Sequence, residues 1–574
     1  MKFKALVFIL FLITGVIVPA LVTTGQVSKP GPQVATFYSE IDDSEQPYGL
    51  YVPPGYDPQK SYPLVIMLHG AMSNHRLALR RVFGKSNLPG QNDAEASRVF
   101  PKWKDIGYIV ATPYARGTMG YVGIPEADVW RVIEECKANF NIDENRVYLT
   151  GLSMGGGGTL FVGLSRPDVF AAIAPVCPAP PGEAWDLMGN AVNLPVAIFQ
   201  GGADPVVKPE GVHEIVDELL KGGASVEYHE FPGVQHDVWV PAYHDENVFK
   251  WFDGQVRNPF PNRVSYSTRW YKYNSAYWVL LDKLTPGTLA TLDARFTGPN
   301  TVEVKADKID AFTLKLKGHP SLKSSDPLTV KINGTVVQSA PKLNHSYWLK
   351  EGKWVAEKYE APVTSKKPGL EGPIFEAATS RVIFVYGTLG TNGTQEVQER
   401  RAFVKKAADF SISFGNYDQP SFINPRVLAD REVTSDDYLS SNLVLFGTKE
   451  TNSLVAKLAD KLPLHLNKEA AGYGLVYGFP VNGKLVVVVS GIPFWTTRPP
   501  QPGSTPAAPA GDRNRMRIRF ASGTGMKGAM GLKDFLLFKE TNDQVISEGY
   551  FDNEWKLPAE AIQKMKDSGV IEKN

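Results

Sequence analysis

Three residues, Ser153, Asp204 and His236, stand in an order and at places where a nucleophilic relay can be built. A serine hydroxyl is a weak nucleophile near neutral pH, so it needs an imidazole within hydrogen-bond reach. That imidazole needs a carboxylate to fix its tautomer and to stabilise its protonated form. The serine lies in "TGLSMGGGGT" (150–159), between Gly151 and Gly155 and ahead of three further glycines. Glycine is costly to order on folding, so this density signals backbone segments in close approach. The stretch reads as a short strand from Val147 to Thr150, a sharp corner at Ser153 and a helix beyond. Gly151 and Gly155 relieve the crowding at that corner and leave the hydroxyl pointing out above the sheet. "GGADPVV" places Asp204 just beyond a strand end, and "PGVQHDVW" places His236 beyond the next.

Acyl chemistry at such a serine also needs two backbone N–H donors for the developing oxyanion. Met154, which follows the nucleophile, supplies one, and Ala71 in "LHGAMSN" is the candidate for the other. His69, ahead of Gly70, reads as shaping that turn. His244 in "YHDENV" reads as a helix-start residue and is the second candidate for the base. Asp237 adjoins His236, so its side chain points away from the ring. Arg76, Arg80, Arg81 and Lys85 form a basic stretch beside the Ala71 loop, read as an anion patch or as a solvated face. The nine histidines are scattered and no H-E-x-x-H occurs, so no metal site is expected. No cofactor is implied.

These residues need a frame that brings strand ends together. From Tyr48 to about Phe252 apolar runs such as "YPLVIMLHG" and "LPVAIFQGG" alternate with helical patterns such as "EADVWRVIEECKANF". Strict β/α alternation predicts a mostly parallel sheet with helices on both faces, and ligand sites in such sheets lie beyond the carboxyl ends of the strands. After "RNPFPNRV" the pattern turns strand-like, with an Asn333-Gly334 turn, which predicts a small antiparallel sandwich. Beyond a Pro/Gly/Lys-rich stretch (362–373) α/β character returns in "SRVIFVYGT", "SNLVLFGT" and "KLVVVVSG". The expected organisation is an α/β catalytic domain over 33–257, a β-sandwich-like domain over 262–360 and a C-terminal α/β domain over 370–574. The first is expected to fold alone if the chain is cut near Asn258.

"YVPPGYDPQKSYPLVIMLHG", "GLSMGG", "GGADPVV" and "GVQHDVW" together resemble the secreted α/β-hydrolase esterases. These include feruloyl and acetyl-xylan esterase-like and polyhydroxybutyrate-depolymerase-like enzymes, with prolyl-oligopeptidase-type catalytic domains as relatives. The resemblance covers about residues 46–256 and implies an α/β-hydrolase fold with a Ser153–Asp204–His236 triad. It implies hydrolysis of a carboxylic ester, on a polysaccharide in some members. One departure is Gln200 in "FQGGADP", where many relatives carry a histidine. Two alternatives stand beside an esterase: an oligopeptidase-type peptidase, although no N-terminal propeller repeats occur, and a non-catalytic surface binding protein.

Bulk properties agree with a globular chain of several domains. Of 574 residues, 43% are apolar and the formal charge is +1, which gives no electrostatic reason to expect nucleic acid or anionic membrane as a partner. "MKFKALVFILFLITGVIVPALVTTGQ" reads as a secretory signal over 1–25, cleaved after Ala20 or Gly25, and places the mature chain outside the cell or in the periplasm without a membrane span. Cys136 and Cys177 are expected to be free, because the topology separates them.

Overall fold

The computed structural model describes residues 29–339, 344–391, 393–414, 417–419, 422–497 and 525–573. The expected signal segment and the low-complexity stretch 498–513 lie outside them. The first eight strands form one sheet in the order β1-β2-β4-β3-β5-β6-β7-β8. They are β1 (Gly31–Ser39), β2 (Ser44–Val52), β3 (Tyr62–Leu68), β4 (Ile109–Pro113), β5 (Ile142–Leu152), β6 (Ala172–Val176), β7 (Val196–Gly201) and β8 (Val226–Phe231). β1 pairs with β2, and β2 with β4, antiparallel; every later pairing is parallel. Apolar runs without alternation suit strands covered on both faces, and Leu64 to Leu68 of β3 are all fully buried. The covering helices include α1 (His75–Val82), α2 (Ile124–Asn139), α3 (Met154–Ser165), α4 (Pro209–Lys221) and α5 (Asn247–Asp253). This is the α/β-hydrolase sheet with its carboxyl edge free to carry a site.

Two five-stranded sheets follow, packed over a core that includes Trp278, Phe312 and Tyr347. They form the sandwich that alternation predicts, and Asn333-Gly334 makes the turn between two paired strands. One pairing departs from an antiparallel pattern: Thr301–Asp307 runs parallel to Leu328–Ile332. The final seven-stranded sheet is mixed. Arg426–Ala429, Val382–Tyr386, Asn442–Phe446 and Lys484–Gly491 are parallel, and three antiparallel strands extend it.

The eight-stranded sheet, the sandwich and the seven-stranded sheet are joined by buried polar contacts that sequence periodicity does not carry. Arg116, fully buried, reaches Asp42 and Asp128 at 2.7 Å each and donates to the Phe422 carbonyl at 3.0 Å. Lys272 lies 3.5 Å from Glu126 and 3.8 Å from Glu376, and Tyr273 donates to Glu126. Ile124 of α2 belongs to the apolar core of the C-terminal sheet. Removing one partner of a buried pair costs about 3–5 kcal/mol, against a total of about 5–15 kcal/mol for a domain. A chain cut after Asn258 is therefore predicted to aggregate or melt far below the full chain, in contrast to the separable domain expected from alternation. Solubility and a urea titration of the two chains side by side measure this; equal midpoints would mean that the shared polar contacts contribute nothing.

Candidate active site

β5 is flanked by β3 and β6, and its end turns directly into α3 at Ser153. Ser153 has φ 55° and ψ −116°, a conformation that a residue with a Cβ holds only when its surroundings enforce it. The Ser153 N–H donates to Val176 O at 2.9 Å and its carbonyl accepts from Gly157 at 3.0 Å. The neighbouring glycines are explained by distance. A Cβ on Gly151 would sit 2.4 Å from Gly155 O, and one on Gly155 only 2.2 Å from Leu68 O. The corner can form only where these two side chains are absent.

Asp204 stands beyond β7 with its side chain fully buried. Its Oδ1 accepts from the N–H groups of Val206 and Val207 at 2.8 and 2.9 Å, which turns Oδ2 outward. Gln200, at the position of the departure, donates to the carbonyls of Gly201 (3.1 Å) and Val207 (2.8 Å) and braces this loop from beneath. His236 stands beyond β8. Its Nδ1 is 2.8 Å from Asp204 Oδ2 and its Nε2 is 3.1 Å from Ser153 Oγ. With a carboxylate at Nδ1, that nitrogen carries the proton and donates, so Nε2 is free to accept from the serine hydroxyl. The three residues singled out from the sequence meet in one hydrogen-bonded chain.

The Ala71 turn lies against the serine: a Cβ on Gly70 would approach Leu152 Cδ1 to 2.7 Å and Ser153 Cβ to 3.5 Å. Within this turn Met72 donates to Thr118 Oγ1 at 2.9 Å and Ser73 to Gly70 O at 3.3 Å. Met154 is the first residue of α3, where the N–H groups have no partner inside the helix and the helix dipole favours negative charge. His69 is fully buried, its ring nitrogens 2.7 and 2.8 Å from the carbonyls of Gly70 and Tyr114. It ties the turn to the loop after β4, and burial lowers its pKa. His244 is far more open: its side chain is 66% exposed and faces Asp245 at 3.2 Å.

The arginines of the basic stretch are engaged by the protein itself; Arg81 pairs with Asp93 at 3.1 Å. Arg80 is buried and donates to the carbonyls of Ala96, Val99 and Ser86, while Arg76 reaches those of Ser97 and Arg98. These guanidinium groups fasten the long 83–99 connection onto α1, where no regular ladder serves its carbonyls. Cys136 and Cys177 are free and buried, as expected from the topology. Cys177 Sγ approaches the Asp204–His236 pair within 4.8 Å, and burial pushes its pKa up so that it stays a thiol.

Several contributors carry no motif. Trp239 packs edge-on against His236 with centroids 5.7 Å apart, and the Arg81 guanidinium lies 5.7 Å from the Trp239 ring. Thr118, which holds the Ala71 turn, lies in an irregular loop. Phe422 comes from the far C-terminal part of the chain; it is 49% exposed and packs on Tyr114 at 5.2 Å. Only "HDVW", which places Trp239 one turn after His236, offers a sequence signal for any of these.

His75, the first residue of α1, has its pKa lowered to about 4, by burial first and then by neighbouring His69 and Arg76. The unfolded chain takes up this proton near pH 6.5, whereas the folded chain does so only near 4. The resulting stability is complete above about pH 6.5 and is lost as pH falls towards 4, by about 3 kcal/mol. Urea midpoints measured from pH 7 to pH 4 are predicted to fall less in His75→Asn than in the parent chain. Parallel curves would remove His75 as the cause.

Residues 46–207 match the family model described as esterase PHB depolymerase. The chain is 27% identical over 194 residues to poly(3-hydroxyalkanoate) depolymerase C of Paucimonas lemoignei, covering 27% of this chain and 44% of that protein. It is 25% identical over 224 residues to an endo-1,4-beta-xylanase/feruloyl esterase of Xylanibacter ruminicola, covering 36% and 29%. The chain thus spans less than half the length of either relative. Among solved structures it is similar to a thermostable esterase, with 27% identity, a TM-score of 0.32 and coverage of 39% and 63%. The sheet order is that of the α/β-hydrolase fold, and residues 46–207 are the part of the chain that is similar to the esterase PHB depolymerase family.

Proposed function

We propose that the chain hydrolyses carboxylic esters through an acyl-enzyme on Ser153, with His236 as base and Asp204 as its orienting carboxylate. The observation that carries this reading is the continuous contact from Asp204 through His236 to Ser153, at 2.8 and 3.1 Å. In the first half-reaction Ser153 Oγ attacks the ester carbonyl carbon as its proton passes to His236 Nε2. The N–H groups of Ala71 and Met154 hold the oxyanion, and the leaving alkoxide takes the proton from His236. In the second half a water gives its proton to His236 and attacks the acyl carbon. Collapse of that intermediate returns the serine and frees the acid.

The names of the two relatives, an endo-1,4-beta-xylanase/feruloyl esterase and a poly(3-hydroxyalkanoate) depolymerase, support an ester carried on or within a polymer as the substrate class. The apolar leader over residues 1–25 supports export, which would bring the chain to such a substrate. Among the described residues no helix is long and apolar enough to cross a membrane.

A panel of p-nitrophenyl esters of increasing acyl length, methyl ferulate, acetylated xylan and aminoacyl anilides tests this reading. Turnover of esters with none of the anilides is the expected result. Faster turnover of the anilides would assign the site to peptide hydrolysis instead, and no turnover at all would favour a binding role.

A further inference from the structure

The C-terminal sheet carries a cavity of about 500 Å³ that the ester site does not use. It lies at the carboxyl ends of the adjacent parallel strands β9 (Val382–Tyr386), β10 (Asn442–Phe446) and β11 (Lys484–Gly491). From β9 the chain passes through α6 (Thr394–Ala407) to Arg426–Ala429 on one side, then returns to β10 on the other. Connections that part in opposite directions leave a crevice between the two strands, which is where ligands enter open α/β sheets. The volume is that of a small-molecule site.

Its walls specify the chemistry. Phe403 of α6, 39% exposed, meets Phe446 edge-on at 5.9 Å and is backed by Trp495, stacked at 5.4 Å. Tyr386 lines the cavity and is 7% exposed, yet among the described residues its hydroxyl has no hydrogen-bond partner. The hydroxyl oxygen is reached by solvent while the ring is covered, so it is free to pair with a ligand in the cavity. Arg400 is already engaged, by the carbonyls of Gly387, Leu389 and Thr451 at 3.2, 2.8 and 3.3 Å and by Glu396 at 2.6 Å. The other charged group in the lining, Glu399, is an exposed carboxylate and repels anions. A sugar would bring several hydroxyls to a wall that offers one free hydroxyl and one carboxylate, so most would lose water without replacement.

We propose that this crevice is a second ligand site, for an uncharged single aromatic ring bearing one hydrogen-bonding group, such as a phenol. The ring packs against Phe403 and Phe446, and its polar group pairs with Tyr386. The site is independent of the ester chemistry.

Equilibrium dialysis of the full chain against 4-ethylphenol tests it. One saturable site per chain is expected, weakened at least tenfold in Phe403→Ala and severalfold in Tyr386→Phe, and unchanged in Ser153→Ala. Phe403 is partly exposed and Tyr386→Phe removes a single oxygen, so both variants should stay within a few degrees of the parent melting temperature. The anion 4-ethylbenzoate and the sugar xylobiose are expected to bind at least tenfold more weakly. Absence of saturable binding, or binding that neither variant alters, would overturn the site. Equal or tighter binding of 4-ethylbenzoate or xylobiose would overturn the ligand class.

Discussion

Ser153→Ala is expected to lower ester turnover by several powers of ten while leaving the fold unchanged, because members of a triad act as a unit and removal of one disables the rest. The substitution deletes only Oγ. The backbone bonds to Val176 and Gly157 do not involve the side chain and remain. The strained φ of 55° is as demanding for alanine as for serine, so the stability change is small. Turnover of a p-nitrophenyl ester by the purified variant, with its melting temperature beside that of the parent, gives the answer. Residual activity within tenfold of the parent would mean that another group is the nucleophile.

The second large effect separates the two candidate bases. His236→Ala is expected to remove turnover to a similar extent, because nothing else lies within hydrogen-bond reach of Ser153 Oγ among the contacts described. Asp204→Asn should cost about 10⁴-fold: the amide oxygen keeps the bonds from Val206 and Val207, so its N–H faces Nδ1 and holds the wrong tautomer. His244→Ala should change little, since that ring is two-thirds exposed and pairs only with Asp245. The three variants assayed on one ester decide it. A dead His244→Ala with an active His236→Ala would reverse the assignment.

Much of this site was legible because each part leaves a local mark. The Gly151–Gly155 pair is forced by contacts of 2.4 and 2.2 Å, so the sequence must carry glycine there. Asp204 and His236 sit where apolar strands end, and strand ends are visible as breaks in hydrophobic runs. What stayed hidden depends on contacts between distant segments. Arg80 looks like a surface arginine until the carbonyls of a long connection are seen to converge on it. The parallel pairing of Thr301–Asp307 with Leu328–Ile332 leaves no trace in alternation, which is the same for either direction. The same holds for the contacts of Arg116, Glu126 and Lys272 that join the first sheet to the sandwich and to the C-terminal part: periodicity reports which face is buried, never what a buried charge meets.

The proposed chemistry requires Ser153 to be a nucleophile made reactive by His236. Treatment with a fluorophosphonate, followed by mass spectrometry of the intact chain and of its peptides, addresses it without knowledge of the substrate. One adduct per chain is expected, on the peptide containing Ser153, and none in His236→Ala or in the denatured chain. A native chain that stays unlabelled, or that is labelled stoichiometrically at another residue, would contradict it.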